Sequence, residues 1–266
     1  MTILFVFSFA HASHLFAQEF QTIYENLDNA TSLYATSNSV YVVEQGNNRL
    51  LKLNHEGGLQ ETLGGNGSGD YHFSNPVDVD ATNGLKIYIT DYNNRRIQVY
   101  DRRGQFLTSI SASQHFNRRR NFSPTQISID NLGEIIFYDQ SSNSILRIDE
   151  DADVMDEFRL PNDILQVNDL IATEQLIYIL DREGGQIHVL SENGSYELFY
   201  PAQNVQAIFI AGEILWKSYA DRIVIESRNA EDRTIEFGSN ISVVDIQAFD
   251  EAIFILGENT LYKIQE

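Results

Sequence analysis

Four acidic residues recur along the chain, and each directly follows a short apolar run: Glu44, Asp91, Asp139 and Asp181. Carboxylates from several repeats could together hold a divalent cation such as calcium or zinc, because cations of this kind take several ligands. An acid at the start of a tight turn more often accepts hydrogen bonds from its own backbone. The pattern favours turn capping and leaves a metal or ligand role open.

Two histidines stand among aromatic residues, His72 between Tyr71 and Phe73, and His115 next to Phe116. Two histidines on one surface are a minimal start for a zinc site or for a general base. No other histidine is expected on that surface, so a carboxylate would have to complete a zinc site. Exposed loop positions without a metal are the favoured interpretation of both residues.

Arginines are concentrated in one short part of the chain, where the only acid is Asp101. The seven are Arg95, Arg96, Arg102, Arg103, Arg118, Arg119 and Arg120. Guanidinium groups bind carboxylate and phosphate groups with two parallel hydrogen bonds. This cluster predicts a cationic dock for an acidic partner or an anionic glycan. The alternative is a solvated loop that pairs with the acids of the chain itself.

The composition limits the classes of partner. Asp and Glu number 38 against 18 Lys and Arg, which gives a net charge of −20. Nucleic acid is not expected as a partner, because binding to phosphates depends on a cationic surface. The chain has no cysteine, which excludes disulfides, thiolate zinc sites and thiol nucleophiles. An apolar fraction of 42% indicates a packed core.

Residues 1–17 have features of an export signal. An apolar run spans Ile3–Phe9, the first charged residue is Glu19, and small residues mark cleavage sites after Ala17 or Ala12. A buried first strand is the alternative. The run is shorter than the ~20 residues of a membrane-spanning helix, so no membrane span is expected. Secretion or a periplasmic location is predicted.

Six repeats follow one strand rhythm, in which a short apolar strand, a polar turn and an alternating strand recur. The residue after the apolar strand marks each copy, and the markers are Glu44, Asp91, Asp139, Asp181, Lys217 and Gly257. Successive markers lie 36 to 48 residues apart, a period typical of four-stranded propeller blades. The sequence therefore predicts an all-β, six-bladed β-propeller.

The repeats define one domain over residues 18–266. The blades are expected at about 28–64, 76–111, 124–160, 165–201, 204–238 and 242–266. The last copy contains only three strands, whereas Glu19–Leu27 is a spare strand near the amino end. We expect this strand to complete the last blade and close the ring, which removes an open sheet edge.

In such a propeller, the turn after the second strand and the linker between blades lie on one face, here called the linker face. Its two longest linkers are Gly64–Asn75 and Ser111–Ser123. Long loops on a rigid scaffold commonly carry binding residues. The predicted binding residues on this face are Tyr71, His72, Phe73, Arg95, Arg96, His115, Phe116, Arg118, Arg119 and Arg120.

The chain resembles the NHL-repeat family of six-bladed propellers, of a bacterial exported type. The family pattern Asp-x-x-Asn-x-Arg, followed by an aliphatic residue, is matched in the second repeat and, with Glu for Asp, in the first. The matching residues are Asp91, Asn94, Arg96 and Ile97, then Glu44, Asn47, Arg49 and Leu50. The linker from Gly67 to Pro76 resembles the family's glycine-rich stretch that ends in Phe and Pro. The resemblance is specific over Val40–Asp130.

The resemblance implies a scaffold that binds proteins or other ligands, usually without catalysis. Related propellers include metal-dependent amidating lyases, lactonases and streptogramin lyases, which use polar residues near the central channel. We therefore predict an exported, non-catalytic binding module for a protein, peptide or glycan, without a required cofactor. Two alternatives remain: a metal-dependent lyase or hydrolase at the channel mouth, with a divalent cation, and a structural subunit of an envelope complex.

Overall fold

The computed structural model describes residues 19–82, 84–112, 121–226, 231–238 and 240–265. Within these ranges the chain forms six antiparallel sheets of four strands each. The sheets are the blades of a ring, so the predicted all-β, six-bladed propeller is confirmed. No helix in these ranges is long and apolar enough to cross a membrane.

The first five blades each use four consecutive strands, ordered from the channel outwards, and the sixth combines three strands with β1. The strands of the first three blades are β2 (Ala30–Ala35), β3 (Val40–Glu44), β4 (Arg49–Leu53), β5 (Leu59–Gly64), β6 (Pro76–Asp80), β7 (Lys86–Asp91), β8 (Arg96–Asp101), β9 (Phe106–Ser111), β10 (Pro124–Ile129), β11 (Ile135–Asp139), β12 (Ser144–Ile148) and β13 (Val154–Arg159). The others are β14 (Asp169–Ala172), β15 (Leu176–Asp181), β16 (Gln186–Ser191), β17 (Tyr196–Pro201), β18 (Ala207–Ala211), β19 (Ile214–Ser218), β20 (Arg222–Glu226), β21 (Arg233–Glu236), β22 (Val243–Phe249), β23 (Ala252–Gly257), β24 (Thr260–Gln265) and β1 (Glu19–Glu25).

The second strand of each blade is the most apolar because both of its faces meet a neighbouring blade. All five residues of β3 are buried, as are five of the six residues of β7 and of β15. This double burial explains why these strands are continuous apolar runs instead of alternating ones. The outermost strands, such as β5 and β13, face solvent and carry polar residues.

The hydrophobic core is divided into layers between adjacent blades. One layer joins Val43 and Leu50 of the first blade to Ile87 and Ile89 of the second. Another joins Ile136 and Ile145 of the third blade to residues of the fourth. Each blade therefore depends on both neighbours for burial of its apolar surface.

The ring is closed by β1, as predicted from the spare strand in the sequence. β1 pairs antiparallel with β24, and the register places Glu19 opposite Gln265 and Glu25 opposite Thr260. The ring of Phe20 stacks on Tyr262 at 5.0 Å and on Phe237 at 5.6 Å between ring centroids. Phe237 belongs to the fifth blade, so β1 also joins the two blades on either side of the closure.

Replacing Phe20 tests the contribution of this closure. We expect Phe20→Ala to lower the free energy of unfolding by about 2 kcal/mol, because a partly buried aromatic side chain is removed from the core. Denaturant unfolding measures the change. The control is Leu107→Ala, on the exposed outer strand β9, which should change stability by less than about 0.5 kcal/mol. Equal effects of the two substitutions would contradict a stabilising closure.

Candidate functional site

The four marker acids are all fully buried, and each binds the linker that enters its own blade. Asp91 Oδ1 accepts a hydrogen bond from the backbone N–H of Ser74 at 2.8 Å. The same bond recurs 16 residues apart in three other blades, from the N–H groups of Asp28, Ser123 and Leu165 to Glu44, Asp139 and Asp181. We call this contact between the end of a second strand and the preceding linker the linker clamp.

The remaining residues of the sequence pattern hold the acid in place. Asn94 Nδ2 donates to Asp91 Oδ2 at 2.8 Å, and Arg96 Nε donates to the same oxygen at 2.9 Å. Asn47 and Arg49 bind Glu44 in the same way. The Asn and Arg of the Asp-x-x-Asn-x-Arg pattern therefore supply hydrogen-bond donors that a buried carboxylate in this turn needs.

Lys217 occupies the marker position of the fifth blade and makes a linker clamp of reversed polarity. Its Nζ donates to the backbone carbonyl of Pro201 at 3.2 Å, again 16 residues upstream, and to Glu226 Oε1 at 2.6 Å. This repeat has a lysine where the first four repeats have an acid. The contact is retained although donor and acceptor have exchanged roles.

The predicted ring of cation-binding acids has a different arrangement in the structure. The side chains of Glu44, Asp91, Asp139 and Asp181 are each buried inside their own blade and bonded to its linker and turn. In the part of the chain that the structure describes, no three His, Cys, Asp or Glu side chains are grouped so that they could hold a metal ion. A divalent cation at the channel mouth stays a prediction.

The linker between the first two blades folds into a compact loop. Gly65 N donates to Asn48 O at 2.8 Å, Phe73 N to Gly65 O at 2.9 Å, and Gly67 N to Phe73 O at 2.9 Å. Gly64 has a φ of 114°, and an added Cβ there would lie 2.6 Å from the Phe73 ring. The loop therefore closes tightly over that ring.

Phe73 is not an exposed anchor, which corrects its assignment as a binding residue. Its side chain has no solvent exposure and packs between the first and second blades, 6.1 Å from the Tyr100 ring. A large aromatic side chain at the end of a glycine-rich linker gains more from burial between blades than from exposure.

Tyr71 and His72 lie on the surface of this loop. Tyr71 is 43% exposed, and its hydroxyl accepts a hydrogen bond from Phe106 N at 3.1 Å, which ties it to the second blade. His72 is exposed, and its backbone N–H donates to Gly69 O at 3.1 Å. Tyr71 is thus held by its own hydroxyl group, and His72 is held by its backbone.

The two neighbouring arginines of the second blade have different environments. The Arg96 side chain is only 11% exposed and donates to the carbonyls of Ser68, Gly69 and His72 as well as to Asp91. It holds the loop, and its donors are used. Arg95 is exposed, and its guanidinium makes no hydrogen bond or ion pair with another described residue.

The middle of the second predicted linker, residues 113–120, lies outside the described residues. His115, Phe116, Arg118, Arg119 and Arg120 lie outside the described residues. Their role in binding, and the convergence of His72 with His115 on one acid, stay predictions.

A central cavity of about 230 Å³ is the feature that sequence reasoning missed. One position on the innermost strand of each blade lies directly before a buried aliphatic residue, and in three blades it holds an aspartate. These residues are Ser32, Asp78, Gln126, Asp169, Ala207 and Asp245. The cavity reaches the turns after the first strands, at Thr82, Asn131 and Thr173, and so opens towards the face opposite the linker face.

The channel aspartates connect neighbouring blades. Asp78 Oδ2 accepts from Ile127 N of the third blade at 2.8 Å, and Asp245 Oδ2 accepts from Leu33 N of the first blade at 2.8 Å. Asp169 accepts from Ile208 N of the fifth blade. These carboxylates therefore satisfy backbone donors on the innermost strands that no ladder partner reaches.

Burial raises the pKa values of the channel carboxyls, because the charged form loses water. The pKa of Asp78 rises to about 7, and those of Asp80 and Asp169 rise to about 6. The pKa of Asp245 lies well above its ordinary value through burial and repulsion from Asp169. The alternation of polar and apolar residues in the first strands could have indicated a row of side chains that face the channel. It could not have indicated which of these side chains meet across the ring.

The linker clamp predicts a strong effect of one buried substitution. Asp91→Ala should lower the free energy of unfolding by about 3 kcal/mol, because it leaves Arg96 and two other donors without their acceptor. Denaturant unfolding of Asp91→Ala, Arg96→Ala and the double variant should show strong non-additivity. Asp70→Ala, at an exposed position of the same linker, is the control. A change below about 0.5 kcal/mol in Asp91→Ala, the range of surface substitutions, would rule out a structural clamp.

The channel carboxyls predict a pH dependence of stability. Their folded pKa values exceed the ordinary value of 3.8, so the folded state binds more protons than the unfolded state between about pH 4 and 7. Stability gained by protonation is lost as the pH rises through this window. Asp245 faces Asp78, Asp169 and Arg182. Asp245→Asn should raise the melting temperature at pH 8 and flatten its profile, whereas Asp163→Asn, an exposed control, should not. An unchanged profile in Asp245→Asn would refute this assignment.

Comparisons with known proteins agree with the fold. Residues 73–100 match the NHL repeat family. Human NHL repeat-containing protein 3 is 33% identical over 79 residues, which cover 28% of this chain and 23% of that protein. The aligned part is thus about a quarter of the human relative.

Solved propellers superpose on almost the whole chain. Virginiamycin B lyase from Staphylococcus aureus gives a TM-score of 0.64 at 13% identity, covering 94% of this chain and 99% of its own. A gluconolactonase from Xanthomonas campestris gives 0.67 at 16% identity, covering 94% and 90%. The WD40 repeats of RRP9 give 0.68 at 9% identity, covering 92% and 97%. At identities this low the likeness shows the fold alone. The chain is a six-bladed β-propeller with an NHL repeat at residues 73–100.

Proposed function

We propose that this protein is an exported, non-catalytic binding module that docks a protein, peptide or glycan on its linker face. His72 and Arg95 are the described residues of this surface, whereas the Tyr71 ring lies beside Tyr100 and Phe106, at the end of the second blade away from Arg95. The partner carries an anionic group, because a guanidinium without a partner among the described residues suits a carboxylate, sulfate or phosphate.

The backbone of Arg95 is the observation that carries the proposal. Arg95 has a φ of 55°, in the left-handed region, and lies at a turn position that three other blades fill with Asn48, Asn143 and Gly185. Asn and Gly adopt this conformation readily, whereas a long side chain there costs stability. No contact with a described residue offsets this cost in stability. A binding role would explain why an arginine occupies the position.

The scaffold around Arg95 supports precise presentation of these side chains. The linker clamp at Asp91 and the bonds of Arg96 fix the loop that carries Tyr71 and His72. A ligand then meets a preformed surface, which reduces the entropy lost on binding.

The metal-dependent lyase or hydrolase is the competing function. Two solved propellers of similar fold have names of this class, and the channel carboxyls have raised pKa values. In this chain those carboxylates accept hydrogen bonds from backbone N–H groups of the next blade, which favours a structural role. A structural role in an envelope complex is compatible with the binding surface.

Arg95→Asn tests the proposal because it should raise stability and lower ligand affinity. The variant should be more stable by about 0.5 to 1 kcal/mol, because Asn tolerates the left-handed conformation. Its affinity should also be at least tenfold lower for ligands that the wild type selects from an anionic glycan array or a displayed peptide library. Asn143→Gly, at the equivalent position of the third blade, is the control that should retain binding.

Two results would contradict the proposal. One is that the affinity of the selected ligands is unchanged in Arg95→Asn and in His72→Ala. The other is a melting temperature that rises with calcium or zinc over EDTA and loses this rise in Asp245→Asn, which would favour the metal-dependent enzyme.

A further inference from the structure

The outermost strand of the fourth blade, β17, exposes an unusual amount of apolar surface. Tyr196 is 43% exposed, Leu198 41% and Phe199 50%. One edge of β17 pairs with β16, and the strand is the last of its sheet, so its other edge has no strand partner among the described residues. Exposed strand edges that carry apolar side chains are sites where a further strand can add.

Charged residues protect the outer edges of two other blades, although β9 of the second blade has none. β21 begins with Arg233 and ends with Glu236, and β13 contains Asp156, Glu157 and Arg159. β17 has a single charged residue, Glu197, within its length. Its edge therefore lacks the alternating charges that discourage strand addition.

Apolar side chains are also exposed on the outer strand of the third blade. Val154 is 46% exposed and Met155 is 54% exposed on β13, the outer strand of that blade. The two rims meet where the ring of Phe158 lies against Gly194, whose added Cβ would be 2.3 Å from the ring. We call the exposed residues of β13 and β17 the rim patch.

The rim patch lies in the most acidic part of the chain. Residues 149–201 contain 13 Asp and Glu against two Arg and no Lys. That difference of −11 is more than half of the net charge of −20. Exposed acids stand directly beside the apolar residues, at Glu157, Glu192 and Glu197. A ligand of this surface must combine apolar side chains with positive charge.

We infer that β17 accepts an extended, basic, amphipathic segment of a partner protein as a fifth strand of the fourth blade. Main-chain hydrogen bonds to the outer edge of β17 provide affinity. Leu198 and Phe199 contact the apolar side chains of the segment, and the surrounding acids attract its Lys or Arg side chains. This site goes beyond the proposed function, because it lies on other blades and takes a partner of opposite charge.

A second copy of this chain fits the rim patch less well. Each copy carries a charge of −20, and the patch of each would bring its own acids to the interface. Like charges that face each other across an interface oppose association.

A synthetic peptide of alternating Lys and Val residues, with a fluorescent label, tests the inference by fluorescence anisotropy against the full chain. We expect saturable binding that weakens as salt rises from 50 to 500 mM, because screening reduces the attraction of exposed charges. The same peptide with N-methylated backbone amides should not bind, because it cannot form the strand ladder. A peptide with Glu in place of Lys should not bind either.

Protein variants locate the site. Leu198→Ser and Phe199→Ser should each weaken peptide binding at least tenfold, whereas Leu107→Ser on the outer strand of the second blade should leave it unchanged. Both positions of β17 are exposed, so the variants should fold, and unchanged melting curves check this. Arg95→Asn should leave peptide binding intact, which separates this site from the linker face.

Three results would overturn the inference. The first is the absence of peptide binding to the wild type. The second is binding that is unaffected by Leu198→Ser, Phe199→Ser or N-methylation, which indicates unspecific charge attraction. The third is a dimer in light scattering that becomes a monomer in Phe199→Ser, which would assign the rim patch to a second copy.

Discussion

The linker clamp is the contact on which the geometry of this propeller depends. A polar side chain at the end of a second strand binds the main chain of the linker that enters the same blade. In the first five blades the contact fixes where the blade begins relative to its own buried strand. The positions of the linker face, of the channel aspartates and of the apolar layers between blades all depend on this contact.

The same contact explains why several residues that look chemically active are structural. Asp91 and Arg96 have the types expected of a binding site, but their polar atoms bind the linker and each other. A buried carboxylate is stable only when its donors are complete. Arg95, next in sequence to Arg96, makes no hydrogen bond or ion pair with another described residue, so the two neighbouring arginines have different environments.

The strand rhythm was enough to predict the fold, including closure by β1, because buried second strands and turn residues repeat at blade length. The site was less accessible to sequence reasoning. Phe73 reads as an exposed loop aromatic but fills the space between two blades, which depends on contacts far apart in sequence. The meeting of Asp78, Asp169 and Asp245 depends on ring geometry. Lys217 binds the linker by donating a hydrogen bond where four other blades use an accepting carboxylate. A pattern of residue types does not reveal such an exchange.

The closure has a mechanical consequence. Glu19 and Gln265 are opposite each other in the β1–β24 ladder, so a force that pulls these two residues apart acts on one hydrogen-bonded pair at a time. The ladder opens like a zipper at low force, whereas strands pulled along their length resist in parallel. Tension across these two residues would release β1 first and expose the edge of β24, while the other five blades keep their internal pairing.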